Sequence, residues 1–427
     1  MPAYHLWLLA LAHWAIDLLT HLLPPVMPLL VRELDLSVAR VAALATALSV
    51  SSGLLQPVLG VAVDKGGRAW LLPVSLLWCG VFMAVFGLAT SYWVLMAAAL
   101  LAGLGAALFH PLASVTVRAV LGRFSAGGLS IFSLGGTVGM ATAPAFATSV
   151  VAWQGLPGLR WTIVPAVLVA LVLVACRVHR LKLLSSSSSE ARPARKAASG
   201  PPGSSAERPP GAALGAAATQ LRAAGGDSPS GGSNAVRALT YLASGKFVRT
   251  VAQVAMSNFL PLYYVSLGFP ESYAGMMLTV FLAVGSASAV GFGYLADQVG
   301  RKPVVILSSV MATPAFLGLL FSSGYLQLAF LVLASVCLYA TFSVVPIYGQ
   351  ELVPHRPGMG AGLLMGGVWA LAALCLVPLG SLADWAGVRA ALLAAAWLPL
   401  LSAAFFWLVP ETRPQPRLAP TRIPGWR

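Results

Sequence analysis

About twelve runs of roughly 20 mostly apolar residues follow one another along this chain, and they constrain its fold more than any motif does. They cover 6–30, 41–62, 69–89, 93–117, 127–152, 161–179, 238–267, 273–296, 303–322, 326–349, 358–381 and 388–409. A helix rises ~1.5 Å per residue, so ~20 residues cross the ~30 Å hydrocarbon core of a bilayer. Hydrocarbon offers the backbone no hydrogen bonds, so apolar runs of this length read as helices. Charged residues are 9% of the chain, against roughly 25% in a soluble domain, too few to cover a water-facing surface. The expectation is an all-α polytopic membrane protein with twelve transmembrane helices. The first run lacks a basic leader and is too long for a signal-peptide core, so it reads as the first span. Cys79, Cys176, Cys337 and Cys375 lie in or at the ends of apolar runs without CxxC or zinc spacing. No metal site and no cofactor is expected.

The net charge of +14 follows topology and not nucleic acid. With the amino terminus inside and loops assigned alternately, twenty of the 26 Lys and Arg fall on the cytoplasmic side. Arg32, Arg40, Arg160 and Arg389 fall outside, and Lys246 and Arg249 lie within a span. This positive-inside asymmetry puts both termini in the cytoplasm, as in a multi-pass plasma-membrane protein.

Residues 185–236 interrupt the pattern with Ser, Pro, Gly, Ala and scattered Arg. That composition buries too little apolar surface to offset ordering entropy and reads as a disordered cytoplasmic linker. The expected organisation is a six-helix bundle over 1–184, the linker, a second six-helix bundle over 237–412, and a cytoplasmic tail over 413–427. The halves repeat each other. Gly60-Val-Ala-Val-Asp64-Lys-Gly-Gly67-Arg68 follows the second span, and Gly293-Tyr-Leu-Ala-Asp297-Gln-Val-Gly300-Arg301 the eighth. The same register carries Pro28 onto Pro261, and Gly158-Leu-Arg160 is echoed by Gly387-Val-Arg389. A parallel six-plus-six repeat is a secondary-transporter architecture.

The doubled G-x-x-x-D-x-x-G-R loops resemble the signature of the major facilitator superfamily, with Ala69 where a basic residue is usual. The resemblance implies a gating latch formed by Gly60, Asp64, Gly67, Arg68, Gly293, Asp297, Gly300 and Arg301. It narrows further. His13-Trp-Ala-Ile-Asp17, Ser52-Gly-Leu-Leu-Gln-Pro57, Phe109-His-Pro111, Ser130-Ile-Phe-Ser-Leu-Gly-Gly136, Arg249 and Asn258-Phe-Leu-Pro-Leu262 resemble fosmidomycin-resistance-type efflux proteins. Gly135-Gly136-x-x-Gly139 with Ala143-Pro144 is similar to an antiporter motif, Ala143 replacing a glycine. Leu112 stands where that family often has a glutamate; if that carboxylate carries protons in relatives, either another group does so here or the coupling differs.

Ionisable groups inside spans are costly and mark pathways. His13, Asp17, Thr20 and Pro24 share one face of the first span, with His21 at its edge. Asp17 is the carboxylate placed deepest in any span. His110 lies ~12 Å inside the end of the fourth span, next to a proline that loosens a turn. Asp17, His13 and His110 are the proton-coupling candidates. In the seventh span Lys246, Arg249, Thr250, Gln253, Ser257 and Tyr264 form a polar stripe over ~27 Å. Its cations suit an anion, guanidinium favouring carboxylate or phosphonate. Lys246, Arg249, Gln253, Ser257 and Tyr264 are the substrate-binding candidates.

The expected function is proton-coupled efflux of a small anionic or amphipathic compound by alternating access, carried out by a monomer in the bilayer. The alternatives are an importer or uniporter of a small metabolite, or a receptor whose cavity only binds. No nucleophile elbow, metal box or phosphate loop points to an enzyme.

Overall fold

A computed structural model describes residues 4–66, 68–121, 126–181, 229–353 and 363–412. Most of the expected linker and the tail beyond 412 lie outside the described residues. So do Gly67 and the side chain of Asp64. The described chain is almost wholly helical, and twelve helical segments match the twelve apolar runs.

Ten of them have the length and hydropathy of membrane spans. They are α1 (Tyr4–Glu33), α2 (begins at Val38 and runs through Gly66), α4 (Tyr92–Leu121), α5 (Ala126–Gln154), α6 (Leu156–Ala175), α8 (Glu271–Val299), α9 (Arg301–Phe321), α10 (Gly324–Leu352), α11 (Val368–Ala386) and α12 (Val388–Trp407). The third, α3 (Leu71–Val85), is apolar but short. The seventh, α7 (Pro229–Ser266), is long but carries the polar stripe. It starts at Pro229 and not near 237, so a Ser- and Gly-rich stretch that reads as linker extends the helix.

Local chemistry explains the irregular places. α1 breaks between Thr20 and Leu23. Pro24 and Pro25 have no N–H to offer the carbonyls of Thr20 and His21. α6 opens as a 3-10 turn over Leu156–Thr162, and a π-helical turn over Leu363–Gly367 leads into α11. Gly300, between α8 and α9, has φ +102°, a conformation costly for any residue with a Cβ. The repeated motif requires its glycine here.

Within the first half α1 packs on α5, and α2 and α3 on α4. Within the second half α7 packs on α12, and α9 on α10 and α12. The halves meet along α2–α11, α5–α8 and α1–α7. Adding six to each span number turns the α2–α11 seam into α8–α5, so the repeat relates the two seams. Lipid gives apolar side chains little reason to prefer a neighbouring helix, so close backbone approach holds such seams together. A Cβ on Gly380 would meet Ala39 Cα at 2.8 Å, and one on Gly275 would meet Thr148 Cγ2 at 2.4 Å.

Polar contacts close one end of these seams. Arg32 of α1 pairs with Glu271 of α8. The Asp384 carboxylate of α11 accepts from the backbone N–H of Val38 (2.6 Å) and Ala39 (3.0 Å), capping the start of α2 across the two halves. An anion on two free N–H groups at a helix N-terminus is a favourable pairing. Deeper in the seam, Thr46 donates to the Ala373 carbonyl at 2.7 Å. We expect Asp384→Asn combined with Arg32→Ala to open this end. Spin labels at exposed Arg40 and Ser272 should then report a longer mean distance, by several ångströms. An unchanged distance distribution would mean that apolar packing alone keeps the end shut.

Candidate functional site

The centre of the first half holds a three-residue polar cluster. His13 and Asp17 stand one turn apart on α1, with His13 Nε2 3.3 Å from Asp17 Oδ2. His110 reaches across from α4, its Nε2 3.6 Å from Asp17 Oδ1. One carboxylate therefore lies between two imidazoles, whose rings meet edge-on at 5.4 Å. The side chains of His13, Asp17 and His110 keep 14%, 18% and 26% of their surface exposed. They are withdrawn from bulk solvent yet accessible to a small ion.

α5 supplies the wall of this site. The His13 ring stacks on Phe132 at 4.3 Å, and its Nδ1–H donates to the Phe132 carbonyl at 2.9 Å. A carbonyl can only accept, so Nδ1 carries a proton and Nε2 is the nitrogen that exchanges with Asp17. Gly136 packs directly on the pair: a Cβ there would lie 2.5 Å from Asp17 Oδ2 and 2.6 Å from His13 Nε2. Gly135 and Gly139 press on the backbone carbonyls of Ala10 and Trp14 in the same way. The glycine pattern of α5 is thus the surface that lets α5 approach α1 at backbone distance. His21, at the break in α1, donates from Nδ1 to the Asp17 carbonyl at 2.8 Å and steadies the turn that carries the carboxylate. Pro111 sits inside α4 without ending it, and Ser114 donates to the His110 carbonyl at 2.9 Å.

The stripe on α7 divides into groups with different surroundings. Arg249 is fully buried. It donates to Ser309 at 2.5 Å, to Ser308 at 3.4 Å and to the Cys337 carbonyl, which joins α7 to α9 and α10. Among the described residues no carboxylate pairs with it. In this conformation the guanidinium is a packing element and not a cavity wall. Lys246 is 2% exposed, and among the described residues its Nζ has no hydrogen-bond partner; the Phe342 ring of α10 lies 6.0 Å away. Thr250 Oγ1 is buried and also unpartnered. The Tyr339 hydroxyl of α10 lies beside Gln253 and Ser257, and its ring packs on the bare backbone of Gly285 in α8. Tyr264 stands apart at the far end of α7, in an aromatic cluster with Tyr263, Phe269 and Tyr273. Lys246, Gln253 and Ser257 therefore line a buried polar seam beside Phe342 and Tyr339 of α10, with Thr250 on the same helix face, while Arg249 is engaged by Ser308, Ser309 and the Cys337 carbonyl and Tyr264 lies elsewhere.

Of the gating motif, Gly60 faces Pro111, a contact between α2 and α4, and Arg68 is exposed. The second copy is held by ion pairs. Arg301 pairs with Asp297 at 2.6 Å and with Glu351 at 3.2 Å. Glu411 accepts from the Arg301 N–H at 3.1 Å and lies against Gly300, while Gly293 faces Ser343. Sequence reading missed Glu351 and Glu411. It also missed Phe132, Tyr339, Ser308 and Ser309. A doubled serine within an apolar run was the available signal for the last two.

Twelve helices among the described residues, with half-buried titratable groups inside the first six and buried cations inside the second six, define a secondary transporter for a small-molecule substrate. The chain belongs to the Major Facilitator Superfamily, whose family model matches residues 9–244 and again 242–426. It is 28% identical over 409 residues to an uncharacterized MFS-type transporter, YfnC, of Bacillus subtilis, covering 94% of this chain and 91% of that one. It is 26% identical over 406 residues to the Fosmidomycin resistance protein of Escherichia coli, covering 95% and 92%. Over 179 residues, 39% of this chain and 41% of the other, it is 34% identical to a Chloramphenicol resistance protein of Pseudomonas aeruginosa. The fold matches a D-xylose–proton symporter with TM-score 0.73 at 14% identity, covering 96% of this chain and 98% of that one. It matches an inward-facing bacterial homologue of the lysosomal transporter Spinster with TM-score 0.71 at 16% identity, covering 96% and 97%.

Proposed function

We infer that the protein is a proton-coupled efflux transporter for a small anionic or amphipathic compound, monomeric in the plasma membrane with both termini cytoplasmic. The observation that carries this reading is the His13–Asp17–His110 cluster, a carboxylate within reach of two imidazoles inside a spanning bundle. Such a group passes a proton among three sites as the halves rock. The substrate faces the polar seam of α7. There Lys246 supplies a positive charge that no described residue hydrogen-bonds, while Gln253, Ser257 and Tyr339 supply neutral donors and acceptors. Arg249 holds the seam in place from behind. The paired loops at Asp64–Arg68 and Asp297–Arg301 act as the cytoplasmic latch. Resistance proteins among the relatives support the direction of transport.

The test is a susceptibility panel in an efflux-deficient host, with fosmidomycin and chloramphenicol included. Expression should raise the inhibitory concentration of at least one anionic or amphipathic compound several-fold. Dissipating the proton gradient should abolish that gain. A gain that persists without the gradient would leave a uniporter. Faster entry of the compound would make the protein an importer.

A further inference from the structure

The geometry points to a binding site for a divalent transition-metal cation of the zinc class, formed by His13, Asp17 and His110. Neither the spacing in the sequence nor a transport role calls for one, because the third donor comes from a different helix. One donor atom from each residue fits in a set whose members all lie within 4.8 Å of one another. A tetrahedral ion ~2.1 Å from each donor sets the donors ~3.4 Å apart. His13 Nε2 lies 3.3 Å from Asp17 Oδ2 and His110 Nε2 lies 3.6 Å from Asp17 Oδ1, so each imidazole faces its own carboxylate oxygen. A single ion on one of these oxygens therefore requires the donor set to contract from within 4.8 Å towards that spacing.

Three further observations favour a metal over a mere hydrogen-bonded packing cluster. His13 donates its Nδ1–H to the Phe132 carbonyl. That arrangement leaves Nε2 as the ligand and fixes the ring, as the second shell of a zinc histidine does. Gly136 brings no side chain against the donors, where even a Cβ would lie 2.5 Å from Asp17 Oδ2. The 14–26% exposure of the three side chains supplies an entry path and a place for a water as fourth ligand. Two imidazoles with a single carboxylate suit Zn2+, Co2+ or Ni2+ and not Mg2+ or Ca2+, which prefer sets of oxygen ligands. The ion takes the same lone pairs that a proton would, so metal and proton exclude each other at this cluster.

The experiment uses full-length, tag-free protein in detergent micelles, with no substrate and no gradient, so its outcome is separate from the transport reading. Co2+ is titrated while its visible ligand-field absorption is followed, and Zn2+ binding is measured by calorimetry. The expected result is saturable uptake of one ion per chain, with Zn2+ displacing Co2+ and a large excess of Mg2+ displacing neither. Asp17→Asn and His110→Ala should each weaken Zn2+ binding by at least about tenfold. Gly136→Ala should do the same by placing a methyl against the donors, and His179→Ala should have no effect. Histidine modification in the unaltered protein needs no variant: Zn2+ should protect His13 and His110 and leave His179 reactive. Absence of saturable binding would overturn the proposal. So would binding that survives Asp17→Asn together with His110→Ala, or modification of His13 and His110 that Zn2+ does not slow.

Discussion

Asp17→Asn protein in proteoliposomes is expected to lose pH-driven substrate accumulation down to the level of empty vesicles, while substrate counterflow continues. Asparagine keeps the shape of the side chain and can still hydrogen-bond His13, but it cannot take up a proton. The helix contacts around it are untouched, because Gly136 meets the side-chain end and the backbone carbonyl still receives His21. The proposed binding seam on α7 belongs to another helix and keeps its charge. Alternating access should then proceed without a coupled ion, which is what counterflow measures. His110→Gln should give a partial defect, since His13 still reaches the carboxylate. Full proton coupling in the Asp17→Asn protein would move the assignment to the histidines. Loss of counterflow as well would show that the carboxylate is needed for the conformational step itself.

How much of this site was legible depends on whether its parts share a helix. His13 and Asp17 are four residues apart, so helical periodicity alone places them together. His110 comes from α4, and its 3.6 Å approach depends on how α4 packs against α1. No spacing encodes that. The glycines of α5 stood out as a motif, but their work is visible only when a Cβ is placed against Ala10, Asp17 and Trp14. The twelve spans were legible because hydrocarbon demands long apolar helices, and their ends shifted by a few residues. The start of α7 was not, since Pro229-Ser-Gly-Gly-Ser-Asn-Ala has the composition of a loop. Arg249 shows the limit most clearly. α7 is polar on more than one side, so periodicity could not say which side faces a cavity. Rotation of the helix turned Arg249 towards Ser308, Ser309 and Cys337.

That rotation makes opposite outcomes the expected result for the two cations of α7. Arg249→Ala leaves a void where a long side chain filled the space between α7, α9 and α10, and it strips the Cys337 carbonyl of its charged donor. The combined cost is about 3–5 kcal/mol, read as a fall in apparent melting temperature in detergent, with much of the protein lost on purification. Arg249→Lys keeps the charge but cannot reach three acceptors at once, so it should recover only part of the stability. Lys246 differs because its ammonium is buried without a hydrogen-bond partner among the described residues. Replacing it with methionine removes a desolvated charge and keeps the length of the chain, so Lys246→Met should stabilise the substrate-free protein by about 1–3 kcal/mol. The same change removes the charge that an anionic substrate would meet, so transport should fall at least tenfold as the protein becomes more stable. A functional site built at the expense of stability has this signature. A stable Arg249→Ala protein with weakened substrate affinity would make the guanidinium the anion ligand after all. A destabilised Lys246→Met protein would show that the ammonium is paired within the bundle, and the anionic-substrate argument would fall with it.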